Sequence, residues 1–197
     1  MLGSDFTAKT NAPANHALAE SMQARVLLES HDYGKAMAHF GKAISILEDS
    51  KAQQFELEFN RILLALAMVQ NGDKRIELKP LFDYASENRV KYLDGWMHKF
   101  IGMILLNIDD QHLDEAENWI KKAIEADDAN GMRWGLGQDY AYNAKVLERK
   151  GDLPKAREMM TKAFTGEFEC SRQDPGRYSQ PGSEESRHSQ SVRNRLP

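Results

Sequence analysis

The chain has 197 residues, 41% of them hydrophobic and 28% charged, with 30 acidic against 26 basic side chains and a net charge of -4. That is enough for one domain with a real core and too little for two large ones. The charge balance argues against a dedicated nucleic-acid binder, whose footprint is a basic surface. The longest apolar runs, Ile62 to Val69 and Ile101 to Leu106, fall far short of the ~20 residues that span a bilayer. Met1 to Asn15 shows no apolar core of a secretory signal. Neither nucleic acid nor membrane is therefore expected as a partner. The single cysteine, Cys170, cannot make an internal disulfide, which fits a cytoplasmic location.

In chain order, residues 1–14 are expected as a flexible N-terminal end. A helical stripe follows through Ala17, Met22, Ala24, Val26, Leu27 and Leu28. After it comes the segment His31-Asp32-Tyr33-Gly34-Lys35-Ala36, then Phe40 and Ala43-Ile44. Two later segments repeat this arrangement. One is His112-Leu113-Asp114-Glu115-Ala116 with Ile120 and Ala123-Ile124. The other is Gly151-Asp152-Leu153-Pro154-Lys155-Ala156 with Met160 and Ala163-Phe164. The marker alanines 36, 116 and 156 imply a missing copy near 76. It is present in weaker form: Asn71-Gly72-Asp73 reproduces the turn, and Leu81 and Tyr84 follow. Glu77 replaces the alanine, and Pro80 should kink the helix or restart it at Lys79 to Pro80.

Between these copies lie three further helical stripes. They run through Phe55, Leu57, Phe59, Ile62, Leu63, Leu66 and Val69; through Trp96, Phe100, Met103, Ile104 and Leu105; and through Trp134, Leu136, Tyr140, Ala141, Ala144 and Leu147. Apolar residues three and four apart make a buried helical face, and no segment alternates with period two, so no sheet is expected. The reading is an all-α chain of four helix–turn–helix units. First helices are expected at 15–30, 52–70, 91–108 and 132–150, and second helices at 33–48, 74–88, 113–127 and 153–165. Residues 166–197 carry six serines, three prolines, three glycines and five arginines. Few are large and apolar, so this segment is expected to be a disordered tail.

The pattern Ala36-Phe40-Ala43, with its aliphatic versions Ala116-Ile120-Ala123 and Ala156-Met160-Ala163, resembles the second helix of the tetratricopeptide repeat. Lys122 to Asn130 looks like that family's repeat ending, with Asp128 where proline is usual. The repeat spacing is near 40 rather than 34, and the first-helix pattern is poorly kept. The longer spacing, together with Trp134 to Ala141 and Arg149 to Ala156, is similar to repeat regions at the C-terminal ends of bacterial multidomain regulators of cyclase or ATPase type. The resemblance covers residues 16–165. It implies an α-solenoid, a right-handed stack of helix pairs over 15–165. Such a stack serves as a non-enzymatic module that binds a protein or peptide in its concave groove. The alternative it implies is a regulatory segment acting on the catalytic domain of a larger signalling protein. In the family register the inward positions are Leu18, Ser21, Arg25 and Leu28 of the first unit and Gln138, Ala141, Tyr142 and Lys145 of the last. Arg25 and Lys145 would favour an acidic partner. The family's carboxylate clamp is not implied, because Leu63 and Leu66 occupy two of its positions.

Catalytic motifs are lacking. Gly131, Gly135 and Gly137 follow no strand, and no Gly-Lys-Ser/Thr or nucleophile elbow occurs. Cys170 has no nearby histidine before His188. His112 with Glu115 and Glu117 reads as the acidic first turn of a helix rather than a metal site. No cofactor and no metal is expected. Trp96, Trp119 and Trp134 are expected to pack between repeats, with Met132, Met159 and Met160 as adaptable fillers. Arg149-Lys150 and Lys121-Lys122 are expected as solvated helix ends.

Overall fold

The computed structural model describes residues 4–51 and 53–173, with side-chain surroundings for 13–51 and 53–165. Among the described residues there are eight α-helices and no strand: α1 (Ser4–Glu29), α2 (Tyr33–Ser50), α3 (Gln54–Gln70), α4 (Leu78–Glu87), α5 (Asp94–Ile108), α6 (Leu113–Ala129), α7 (Arg133–Arg149) and α8 (Leu153–Gln173). α1 begins inside the segment expected as a loose N-terminus, and α8 runs into the segment expected as a tail. The rest of that tail, 174–197, lies outside the described residues.

One turn chemistry recurs four times. The amide of Asp32 bonds to the carbonyl of Leu27, Asp73 to Met68, Met132 to Asp127, and Asp152 to Leu147, at 2.8 to 3.0 Å. Each closes a helix in the six-to-one pattern that satisfies an orphan carbonyl. The residue before each donor is left-handed: Gly72, Gly131 and Gly151, but His31 at φ 62°. Glycine takes that conformation freely, whereas His31 is supported by a hydrogen bond to the Tyr33 hydroxyl at 2.7 Å. Asp32 and Asp152 then accept from the amides of Lys35 and Lys155, capping α2 and α8. Sharp turns of this kind lay consecutive helices antiparallel.

The small-residue pattern marks where helices meet. Ala36, Phe40 and Ala43 of α2, and Ala116, Ile120 and Ala123 of α6, are all fully buried. Pairs α1–α2, α5–α6 and α7–α8 pack along their lengths, and α2–α3 and α6–α7 join one pair to the next. The second pair departs from this. α4 starts only at Leu78, with Pro80 in its first turn, where a missing amide leaves no bond unmade. The short α4 buries Leu81 and Ala85 and lies loosely against α3, which packs instead on α2 and α5. The main core runs through Phe40, Ile62, Leu66, Ile101, Ile104 and Ile120.

Candidate functional site

Four helices, α1, α3, α5 and α7, send side chains to one cavity of about 120 Å³. Its apolar wall is Leu28 of α1, Leu63 and Leu66 of α3, and Phe100 and Met103 of α5. Arg25, Glu29, His31, Gln70 and Tyr142 supply the polar positions. An aromatic run continues beside it. Phe59 meets Phe55 at 5.8 Å, Phe100 at 5.9 Å and Trp96 at 6.4 Å between ring centroids. The Arg25 guanidinium lies over Trp96 at 5.4 Å, and the Lys145 ammonium over Tyr142 at 4.6 Å. Each cation thus rests on a ring face, an attraction worth roughly 0.5–1 kcal/mol where exposed. Burial raises the Tyr142 hydroxyl above its ordinary range, and the nearby Glu29 adds to this, so the phenol stays neutral.

Behind α7 a charged cluster is sealed from water. Lys99 of α5 is 3% exposed, and Asp127 of α6 and Asp139 of α7 are 0%. Lys99 Nζ donates to Gln138 Oε1 at 2.9 Å and lies 3.7 Å from Asp139 Oδ1. Room for the Asp127 carboxyl comes from glycines on both neighbouring helices. A Cβ at Gly95 would sit 1.8 Å from one Asp127 oxygen, and one at Gly135 would sit 1.9 Å from the other. Both glycines sit in first turns, at the second residue of α5 and the third of α7. Burial pushes Asp139 up to about 8, with the Asp127 carboxyl adding to the rise and Lys99 opposing it. Burial also raises Asp127 and lowers Lys99.

The structure brings three of the inward positions together at the cavity: Arg25, Leu28 and Tyr142. Lys145 joins them through the Tyr142 ring. Ser21 is buried, and Ala141 is half-buried. Gln138 is half-buried and engaged by Lys99. Leu18 is 49% exposed and sits by a separate small cleft with Ala17, Leu47 and Asn60. The exposed apolar stripe of α1 is Leu18, Met22 and Val26, while Ser21 and Leu28 are buried.

One expectation is corrected and one extended. Trp134 is 60% exposed rather than packed between helices; the next residue, Gly135, is the one that faces Asp127 of α6, and a helical step of about 100° turns Trp134 away. Arg149 and Lys150 do end α7 and are exposed, but they are also paired. Arg149 donates to the Leu106 carbonyl and pairs with Asp110, and Lys150 bridges Asp114 and Glu117 of α6. The basic end of α7 thus clamps to the acidic start of α6. Sequence reasoning missed Lys99, Asp127 and Asp139 altogether. The glycines Gly95 and Gly135, in the first turns of α5 and α7, were the available signal.

Among the described residues, no group of three or more His, Cys, Asp or Glu side chains is arranged to hold a metal ion. None of their helices is long and apolar enough to cross a membrane. His112 is engaged by Asp109 at 2.8 Å. No family model, curated protein or solved structure matches the chain.

Proposed function

We infer that this chain is a non-enzymatic interaction module. It binds a peptide or protein segment in a groove formed by the first helices of a tetratricopeptide-like, right-handed stack. The observation that carries this reading is the shared cavity, to which α1, α3, α5 and α7 all contribute. Helices far apart in sequence then act as one surface, which is how helical repeats use their shape. The exposed cations Arg25 and Lys145, held on Trp96 and Tyr142 with their charge unneutralised by any carboxylate in ion-pair range among the described residues, favour an acidic segment. Apolar side chains would meet Phe100, the half-buried member of the apolar wall. The test is an array of synthetic decapeptides, acidic and basic, each with one large apolar residue. The parent should retain acidic members. Arg25→Glu combined with Lys145→Glu should lose them at unchanged helicity, since exposed charge swaps change stability by only ~0.5 kcal/mol. Equal retention by parent and double variant would remove the groove as the site.

A second reading rests on a different surface. Leu18, Met22 and Val26 leave an apolar stripe uncovered along α1, 49 to 68% exposed. A regulatory segment packed against another domain of a larger signalling protein would cover such a stripe. Met22→Ser with Val26→Ser would then abolish regulation while leaving peptide retention intact.

A further inference from the structure

We propose that Lys99, Asp127 and Asp139 form a proton-holding clamp between α5, α6 and α7. Its two carboxyls retain one proton at neutral pH, and loss of that proton loosens the seating of α7. The sealed cluster holds two carboxyls and one ammonium, so full ionisation would bury a net negative charge. An uncompensated buried charge is far costlier than a shared proton. Hydrogen bonding leads to the same place. No N–H or hydroxyl group of the described residues donates to any of the four carboxyl oxygens. Nothing but the ammonium is there to support a second negative charge, and each carboxyl perturbs the ionisation of the other. A pair coupled in this way titrates as a unit.

The surrounding elements do not neutralise the cluster. From α1, Glu29 acts on Lys99 and adds negative potential. From α8, Lys162 reaches the Tyr140 ring and pairs with Glu158. From α3, Arg61 is engaged by Glu48 and Tyr84. On α7 itself, Tyr142 stays neutral.

The consequence follows from position. α7 carries Tyr142 and Lys145, and Gln138 ties it to Lys99, whose neighbours Trp96 and Phe100 belong to the aromatic run. A carboxyl raised in the folded state contributes stability that is fully present below the ordinary carboxylate range. That stability is lost as pH rises toward the folded value, here about 8. The window is therefore roughly pH 4 to 8.

Asp139→Asn replaces the protonated carboxyl with a neutral group of the same shape. Urea unfolding of the full chain is compared with this variant from pH 4.5 to 9. The variant's folded-to-unfolded ratio relative to the parent should climb by up to about tenfold for each pH unit, then level off above pH 8. The infrared carbonyl stretch of a protonated carboxyl should be present in the parent at pH 7 and absent from the variant. A pH-independent difference, or no such band in the parent, would overturn the clamp. Should Asp139→Asn fail to fold, Asp127→Asn carries the same expectation. Failure of both at pH 8 would equally overturn it, because a neutral stand-in is what the proposal says the site accepts.

Discussion

α5 is held on its two sides by different chemistry. Toward α3 it offers Trp96 and Phe100 to Phe59, and Ile101 and Ile104 join Ile62 and Leu66 in the apolar core. Toward α6 and α7 it offers Gly95 and Lys99 to two buried aspartates. The apolar seam gains from area removed from water and tolerates small shifts in register. The charged seam gains little net energy, because desolvation offsets attraction, but it loses heavily when either partner is removed. The difference suggests a division of labour. The α1–α3–α5 side forms a fixed floor, and α7 is set on it by a contact that is specific and pH-dependent.

Removing one partner of the charged seam should have the largest effect. Lys99→Met leaves two buried carboxyls without their ammonium, and breaking a buried pair this way costs about 3–5 kcal/mol. Because both carboxyls can be protonated in acid, the cost should be smaller at pH 4.5 than at pH 8, read from urea unfolding. Leu66→Ala on the apolar seam supplies the contrast. It should cost about 2–5 kcal/mol and by the same amount at both pH values. A pH-dependent loss there would erase the distinction between the seams. Gly135→Ala sharpens it with a smaller effect. The new methyl would press on the Asp127 carboxyl, and overpacking of this kind costs about 1–3 kcal/mol. A thermal melt at pH 7 checks it, and an unchanged melting temperature would mean that Asp127 has another place to go.

Helix positions were legible in the sequence because their ends are written in local chemistry. Asn71-Gly72-Asp73 and Lys150-Gly151-Asp152 each close a helix, and Asp152 also caps the next, with groups that need no distant partner. Pro80 announced the late start of α4 for the same reason. The groove was legible in part. Arg25, Leu28 and Tyr142 meet at the cavity, whereas Ser21 turns inward because helix rotation depends on what α2 and α3 demand of α1. The clamp was not legible. A lysine and two aspartates spread over 40 residues look like solvated charges until three helices converge on them. Gly95 and Gly135 hinted at a close approach without saying to what.

α1 and α7 line one cavity although five α-helices separate them in the chain. Glu29 and Tyr142 line the same cavity. Replacing both with cysteine, in a background with Cys170→Ser, allows a short bifunctional thiol reagent to test this on the folded chain. The account predicts rapid internal cross-linking of the monomer, and slow linking for a control pair that moves the first cysteine to Lys42 on the exposed face of α2. Linking of Glu29→Cys with Tyr142→Cys no faster than that control would contradict it.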